Sequence, residues 1–153
     1  MRLSAARELA APAERAWSLL VDWPRQGDWM PATTVRVAGT GSSGAGTRLR
    51  AVTGVGPLRI VDTMEITDWD PPARCVTRHT GRVLRGEGIF EIRALSTDRC
   101  RLTWTEDVQV LRLLDHAPVG FLARRLGEPF LARALARFAR ILANSTPSMK
   151  GDR

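Results

Sequence analysis

The chain has 153 residues, 44% apolar and 25% charged, the size and balance of one ordinary globular domain that can bury roughly 68–70% of its unfolded surface. These totals argue against a disordered or collagen-like chain, and no run reaches the ~18 apolar residues of a membrane-spanning helix. The net charge of +7 comes from arginine, with Lys150 the only lysine, and the arginines are scattered over nearly every segment instead of forming one basic run, which argues against nucleic acid as a partner.

In chain order, Met1 to Ala10 reads as a short strand. Pro12 suits the first position of a helix and Glu14 its positive end, and Ala16, Trp17, Leu19, Leu20 and Trp23 follow at helical spacing. Pro24 stops or bends that helix, and Gly27, Trp29 and Pro31 belong to a second, broken helical segment. From Thr33 the period changes to two, with Val35 and Val37 alternating with Thr34 and Arg36. A glycine-rich connector from Gly39 to Gly46 leads to a strand at Thr47 to Thr53, and Gly54 and Gly56-Pro57 mark the next turn. Leu58, Ile60, Met64 and Ile66 alternate with Arg59, Val61, Thr63 and Glu65, and Asp70-Pro71-Pro72 is a strong turn signal. Three more strands follow, Arg74 to Thr80, Gly86 to Leu95 and Arg101 to Val110, with Thr97-Asp98 as the last turn. Strands this close in sequence form an antiparallel meander. The remainder is helical: Pro118 can start a segment, and Pro129 either starts a second one or kinks a single helix. Phe130, Leu131, Ala134, Leu135, Phe138, Ile141 and Leu142 fall on one face at 100° per residue, and Arg133, Arg137 and Arg140 on another. One domain over residues 1–147 is expected, with a loose tail at 148–153.

This order resembles the helix-grip fold of the START-related and polyketide-cyclase superfamily. The resemblance is carried by Ala11-Pro12-Ala13-Glu14-Arg15-Ala16-Trp17, by Asp22-Trp23 through Trp29-Met30-Pro31, and by the turn Asp68-Trp69-Asp70-Pro71-Pro72-Ala73-Arg74. Gly86-Glu87-Gly88-Ile89-Phe90 and Leu102-Thr103-Trp104-Thr105-Glu106 resemble the last two strands. It implies an α+β domain: a seven-stranded curved antiparallel sheet wrapped around a long C-terminal helix, with two short helices after the first strand. It also implies a deep pocket between sheet and helix, but not one reaction, since members carry lipids, bind hormones or cyclise polyketides.

Alternation then assigns side chains to the pocket once the arginine-bearing face of each strand is turned to solvent. Leu58, Ile60, Asp62, Met64 and Ile66 point inward, as do Cys75, Thr77 and His79, then Gly88, Phe90, Ile92 and Ala94, then Leu102, Trp104, Glu106 and Val108. Leu131, Leu135 and Phe138 close the space from the helix. Three polar residues, Asp62, His79 and Glu106, thus face an apolar interior, where a charge needs a partner, water or a function. The plain alternative is that they sit at the pocket mouth or pair with an arginine. Trp29, Trp69 and Trp104 could stack on a flat ligand or simply pack the core, and Trp69 suits packing better.

Other signals lose weight in their context. Gly39-Thr40-Gly41-Ser42-Ser43-Gly44 matches GxGxxG literally, but a strand follows it where a dinucleotide site needs a helix, so it reads as a hairpin loop that could act as a lid. There is no GxSxG, HExxH or P-loop, and no local pattern builds a triad on His79 or His116. Cys75 and Cys100 form no CxxC pair, so no metal site is expected; one disulfide could form, but both read as reduced core residues. Arg2, Arg7, Glu8, Glu14 and Arg15 break up any secretory h-region, and a cytoplasmic location is the expectation. The basic helix face, with Arg124 and Arg125 before it, is a solvated surface or a transient contact with anionic membrane.

The expected function is binding of a hydrophobic small molecule, a lipid or polyketide-like aromatic, without a cofactor. Its candidate ligand contacts are Trp29, Asp62, Met64, Thr77, His79, Phe90, Trp104, Glu106, Leu131, Leu135 and Phe138. The alternative is a cyclase, aromatase or dehydratase, with Glu106 or His79 as the catalytic acid or base.

Overall fold

The computed structural model describes residues 1–40, 43–110 and 118–145, with side chains from 125 onward in the last segment. Its elements are β1 (Arg2–Leu9), α1 (Ala13–Leu20), a 3-10 turn (Trp23–Arg25), α2 (Gln26–Trp29), β2 (Thr33–Ala38), β3 (Arg48–Val55), β4 (Leu58–Asp70), β5 (Arg74–His79), β6 (Leu84–Ala94), β7 (Cys100–Val110) and α3 (Pro118–Asn144). The strands form one antiparallel sheet in the order β1-β7-β6-β5-β4-β3-β2. Six of them are a meander, and β1 pairs with the last, so the two short helices bridge the opposite edges of the sheet. The fold class is the one the sequence resembles.

Proline placement sets the helix boundaries. Pro12 is the residue before α1, and its carbonyl accepts from Arg15 and Ala16. Pro24 sits in the 3-10 turn between the short helices. Pro129 lies inside α3, which runs through it as one helix. Its partner carbonyl loses a bond there, yet the apolar face holds: Leu131, Ala134, Leu135, Phe138 and Leu142 are all buried. The helix packs on β1, α1 and α2. Arg15 of α1 also donates to the carbonyl of Leu142 at 2.9 Å, satisfying a C-terminal acceptor of α3.

Strand pattern translates directly into burial over most of the sheet. Ile66, Cys75, Thr77, Phe90, Ile92, Leu102, Trp104 and Val108 are buried as alternation requires. Two expectations fail at the β3–β4 hairpin. Leu58 is 83% and Ile60 41% exposed, because the tip of this hairpin runs beyond the elements that cover the sheet. Ala94, at the far end of β6, is exposed as well. A bulge between Ile66 and Asp68 then shifts the register of β4 against β5, and Trp69 packs edge-on to Trp17 at 4.9 Å, in the packing role expected of it. Cys75 and Cys100 are both buried and free, so no disulfide joins them.

Of the other sequence readings, His116, the side chain of Arg124, Gly41 and Ser42 of the glycine connector and the tail at 148–153 lie outside the described residues. Arg133 and Arg140 are exposed and Arg137 is half-buried. Among the described residues no helix is long and apolar enough to cross a membrane.

Candidate functional site

The polar residues that alternation turned inward meet in one cluster. His79 sits at the end of β5, and its Nδ1 lies 2.6 Å from Asp62 Oδ2 while its Nε2 lies 3.0 Å from Glu106 Oε2. Trp104 Nε1–H donates to the other Glu106 oxygen at 2.7 Å. Asp62 and His79 are each 8% exposed, and the Glu106 side chain 17%.

Two absent side chains in β6 make this contact feasible. His79 is on β5 and Glu106 on β7, with β6 between them, so their backbones are ~10 Å apart. His79 pairs with Gly86, which pairs with Val108, and Thr77 pairs with Gly88, which pairs with Glu106. Both glycines leave the pleat bare, and the imidazole reaches diagonally across it. A Cβ on Gly88 would stand 2.9 Å from Thr77 Oγ1 and 3.0 Å from Glu106 Oε1, in the space the carboxylate needs. Gly86, at φ +129°, lets β7 come so close that a Cβ would strike the Asp107 carbonyl and Val108. These glycines are part of the site, and sequence reading did not assign them that part; glycines at alternate positions of a strand were the available signal.

An aromatic wall adjoins the cluster. Phe90 stacks on Trp104 at 5.1 Å, Trp29 meets Trp104 edge-on at 6.0 Å and Phe138 at 5.2 Å, and Phe130 lies 6.5 Å from Trp104. Trp29 and Phe138 are fully buried, Leu131 and Leu135 nearly so, and Met64 is partly buried against the same core. Thr77 is buried and donates to the Gly88 carbonyl at 3.3 Å. All eleven candidate contacts therefore lie in or against one interior, with Glu106 the most open of the polar ones. A surface depression lined by Ala38, Arg48, Leu49, Thr63, Met64, Glu65 and Thr80 flanks it at β2–β4 and, among the described residues, includes none of α3.

Among the described residues no arginine pairs with Glu106, one of the alternatives the sequence left open; the arginines form their ion pairs elsewhere, as Arg74 does with Asp68 and Glu91. The cation is His79. Burial alone would lower its pKa, but the hydrogen bonds to Asp62 and Glu106 and their charges outweigh burial and raise it to about 10. Because this value lies above the ordinary 6.5 of an unfolded chain, the folded state holds the extra proton between the two. The resulting stability is fully present below pH ~6.5 and is lost as pH rises through ~10. Urea midpoints at pH 6, 8 and 10 should fall progressively for the wild type and more weakly for His79→Gln; equal slopes for both proteins would show that His79 is not the group responsible. Burial likewise pushes the Cys75 thiol up to about 12, with Asp68 adding to it, which leaves it a core residue and not a nucleophile. Among the described residues no group of His, Cys, Asp and Glu is arranged to hold a metal ion.

Comparison with known proteins agrees with this architecture. The aromatase/cyclase ZhuI from Streptomyces sp. R1128 superposes with a TM-score of 0.80 at 18% identity, over 99% of each chain. A protein from Thermus thermophilus gives 0.79 at 21% identity, over 95% of this chain and 100% of that one. A START superfamily protein from Mycobacterium smegmatis gives 0.73 at 22%, over 95% and 99%. No curated protein matches in sequence. The sequence profile described as "Polyketide cyclase / dehydrase and lipid transport" matches residues 1–144, and on that match over nearly its whole length the chain belongs to the polyketide cyclase/dehydrase and lipid transport family.

Proposed function

We propose that the protein binds a hydrophobic small molecule, a lipid or a polyketide-like aromatic, in the interior between the sheet and α3. The observation that carries this reading is the wall of Trp29, Phe90, Trp104, Phe130 and Phe138 with a single polar cluster at its edge. Apolar lining with a few convergent polar groups is the usual make-up of a small-molecule site. Family membership and the START-like neighbour support it. Native mass spectrometry of the purified protein tests it: a co-purifying apolar compound is expected. An empty protein that takes up no apolar compound and has a side-chain-filled interior in a crystal structure would refute the reading.

A second reading is favoured by the cluster itself. A cyclase or dehydratase must move protons at a shaped apolar site, and an imidazole held between two carboxylates can exchange a proton with a substrate through Glu106. Glu106→Gln separates the two. The amide keeps the shape and can still accept from Trp104, so ligand affinity should change by less than about tenfold, whereas proton-transfer turnover should fall by ~10²-fold or more. Undiminished turnover would remove Glu106 from the chemistry.

A further inference from the structure

The hydrogen bonds of the cluster leave it with acceptors only. His79 uses both ring nitrogens on Asp62 and Glu106, Trp104 spends its one N–H on Glu106, and Thr77 donates to the Gly88 carbonyl. No donor remains on these side chains; the adjoining wall keeps one unpartnered N–H, that of Trp29, which is fully buried among the rings of Trp104 and Phe138. Acceptor capacity does remain. Asp62 Oδ1 is buried with no partner, and each Glu106 oxygen accepts a single bond where a carboxylate oxygen can take about two.

The charge has a definite sign as well. The two nitrogen–oxygen contacts hold one proton each. Wherever those protons lie, imidazole and two carboxyl groups together carry one negative charge. Among the described residues, no arginine pairs with Asp62 or Glu106. The surroundings are aromatic and apolar, so water screens this charge poorly.

We propose that the site selects ligands whose apolar body carries a hydrogen-bond donor or a cation, a hydroxyl or an amine, and rejects those that end in a carboxylate. This rests on the binding reading above and names the ligand class for it. Glu106 is the receiving group, since it is the most exposed member of the cluster. A donor head completes its open acceptor positions, while a carboxylate head would have to lose its water beside a like charge.

Decylamine, 1-decanol and decanoate test this, because their equal chains cancel the apolar contribution. Isothermal titration of the intact protein at pH 7 should give decylamine or decanol at least tenfold tighter than decanoate. The chain's net charge of +7 works against that result, since a non-specific basic surface would favour the anion. In Glu106→Gln the open carboxylate is lost and the remaining charge sits on the more buried Asp62, so the ranking should narrow several-fold or more. Decanoate binding as tightly as the other two in the wild type would overturn the inference and leave the pocket standing. Binding of none of the three would overturn the pocket reading and the inference with it.

Discussion

Phe138→Ala is expected to destabilise the protein by ~3–5 kcal/mol, the cost of removing a large aromatic from a packed core. Phe138 is fully buried in α3 and meets the equally buried Trp29 of α2 edge-on at 5.2 Å. That contact joins the C-terminal helix to the aromatic wall over the sheet, and such ring pairs add ~0.5–1.5 kcal/mol beyond the area they bury. For a chain of this length the loss corresponds to a fall in Tm of roughly 6–20 °C. The magnitude also reports on function. A ring packed on all sides costs the full amount, whereas a ring that borders an open ligand cavity leaves less new void behind. A loss near ~1 kcal/mol in thermal unfolding would therefore mean that Phe138 lines an empty space, and a hydrophobic ligand should then recover little stability in the variant.

Much of this site was legible from period-two alternation. Asp62, His79 and Glu106 each fell on the inner face because the arginines of the same strands fell on the outer one, and the three side chains meet there. With the arginines of these strands outside, His79 is the cation that the inner face offers to the two carboxylates among the described residues. The glycines Gly86 and Gly88 were harder to read. Their role depends on a contact between strands two places apart, and alternation within one strand carries no information about that distance. Leu58 and Ile60 failed for another reason. Alternation gives the face of a residue but not whether anything covers that face, and the β3–β4 tip is left uncovered. The bulge after Ile66 lies beyond the residues of the site, so the inversion it causes did not reach them.

His79→Leu should cost ~3–5 kcal/mol, because it leaves two buried or half-buried carboxylates without their shared cation. The substitution keeps approximate volume, so a cavity contributes little. Asp62 is then the more exposed to penalty: its Oδ1 already lacks a partner and its Oδ2 would lose the 2.6 Å contact. Glu106 keeps the Trp104 bond at 2.7 Å and some access to solvent. That asymmetry predicts the outcome of a double-mutant cycle. Asp62→Leu removes the stranded carboxylate, so Asp62→Leu/His79→Leu should be more stable than the sum of the single losses predicts, by ~1–3 kcal/mol. Urea unfolding of the four proteins at pH 7 measures it. Additivity within ~0.5 kcal/mol would show that His79 and Asp62 are neighbours without being coupled. The charge balance that underlies the proposed ligand preference would then have to come from Glu106 alone.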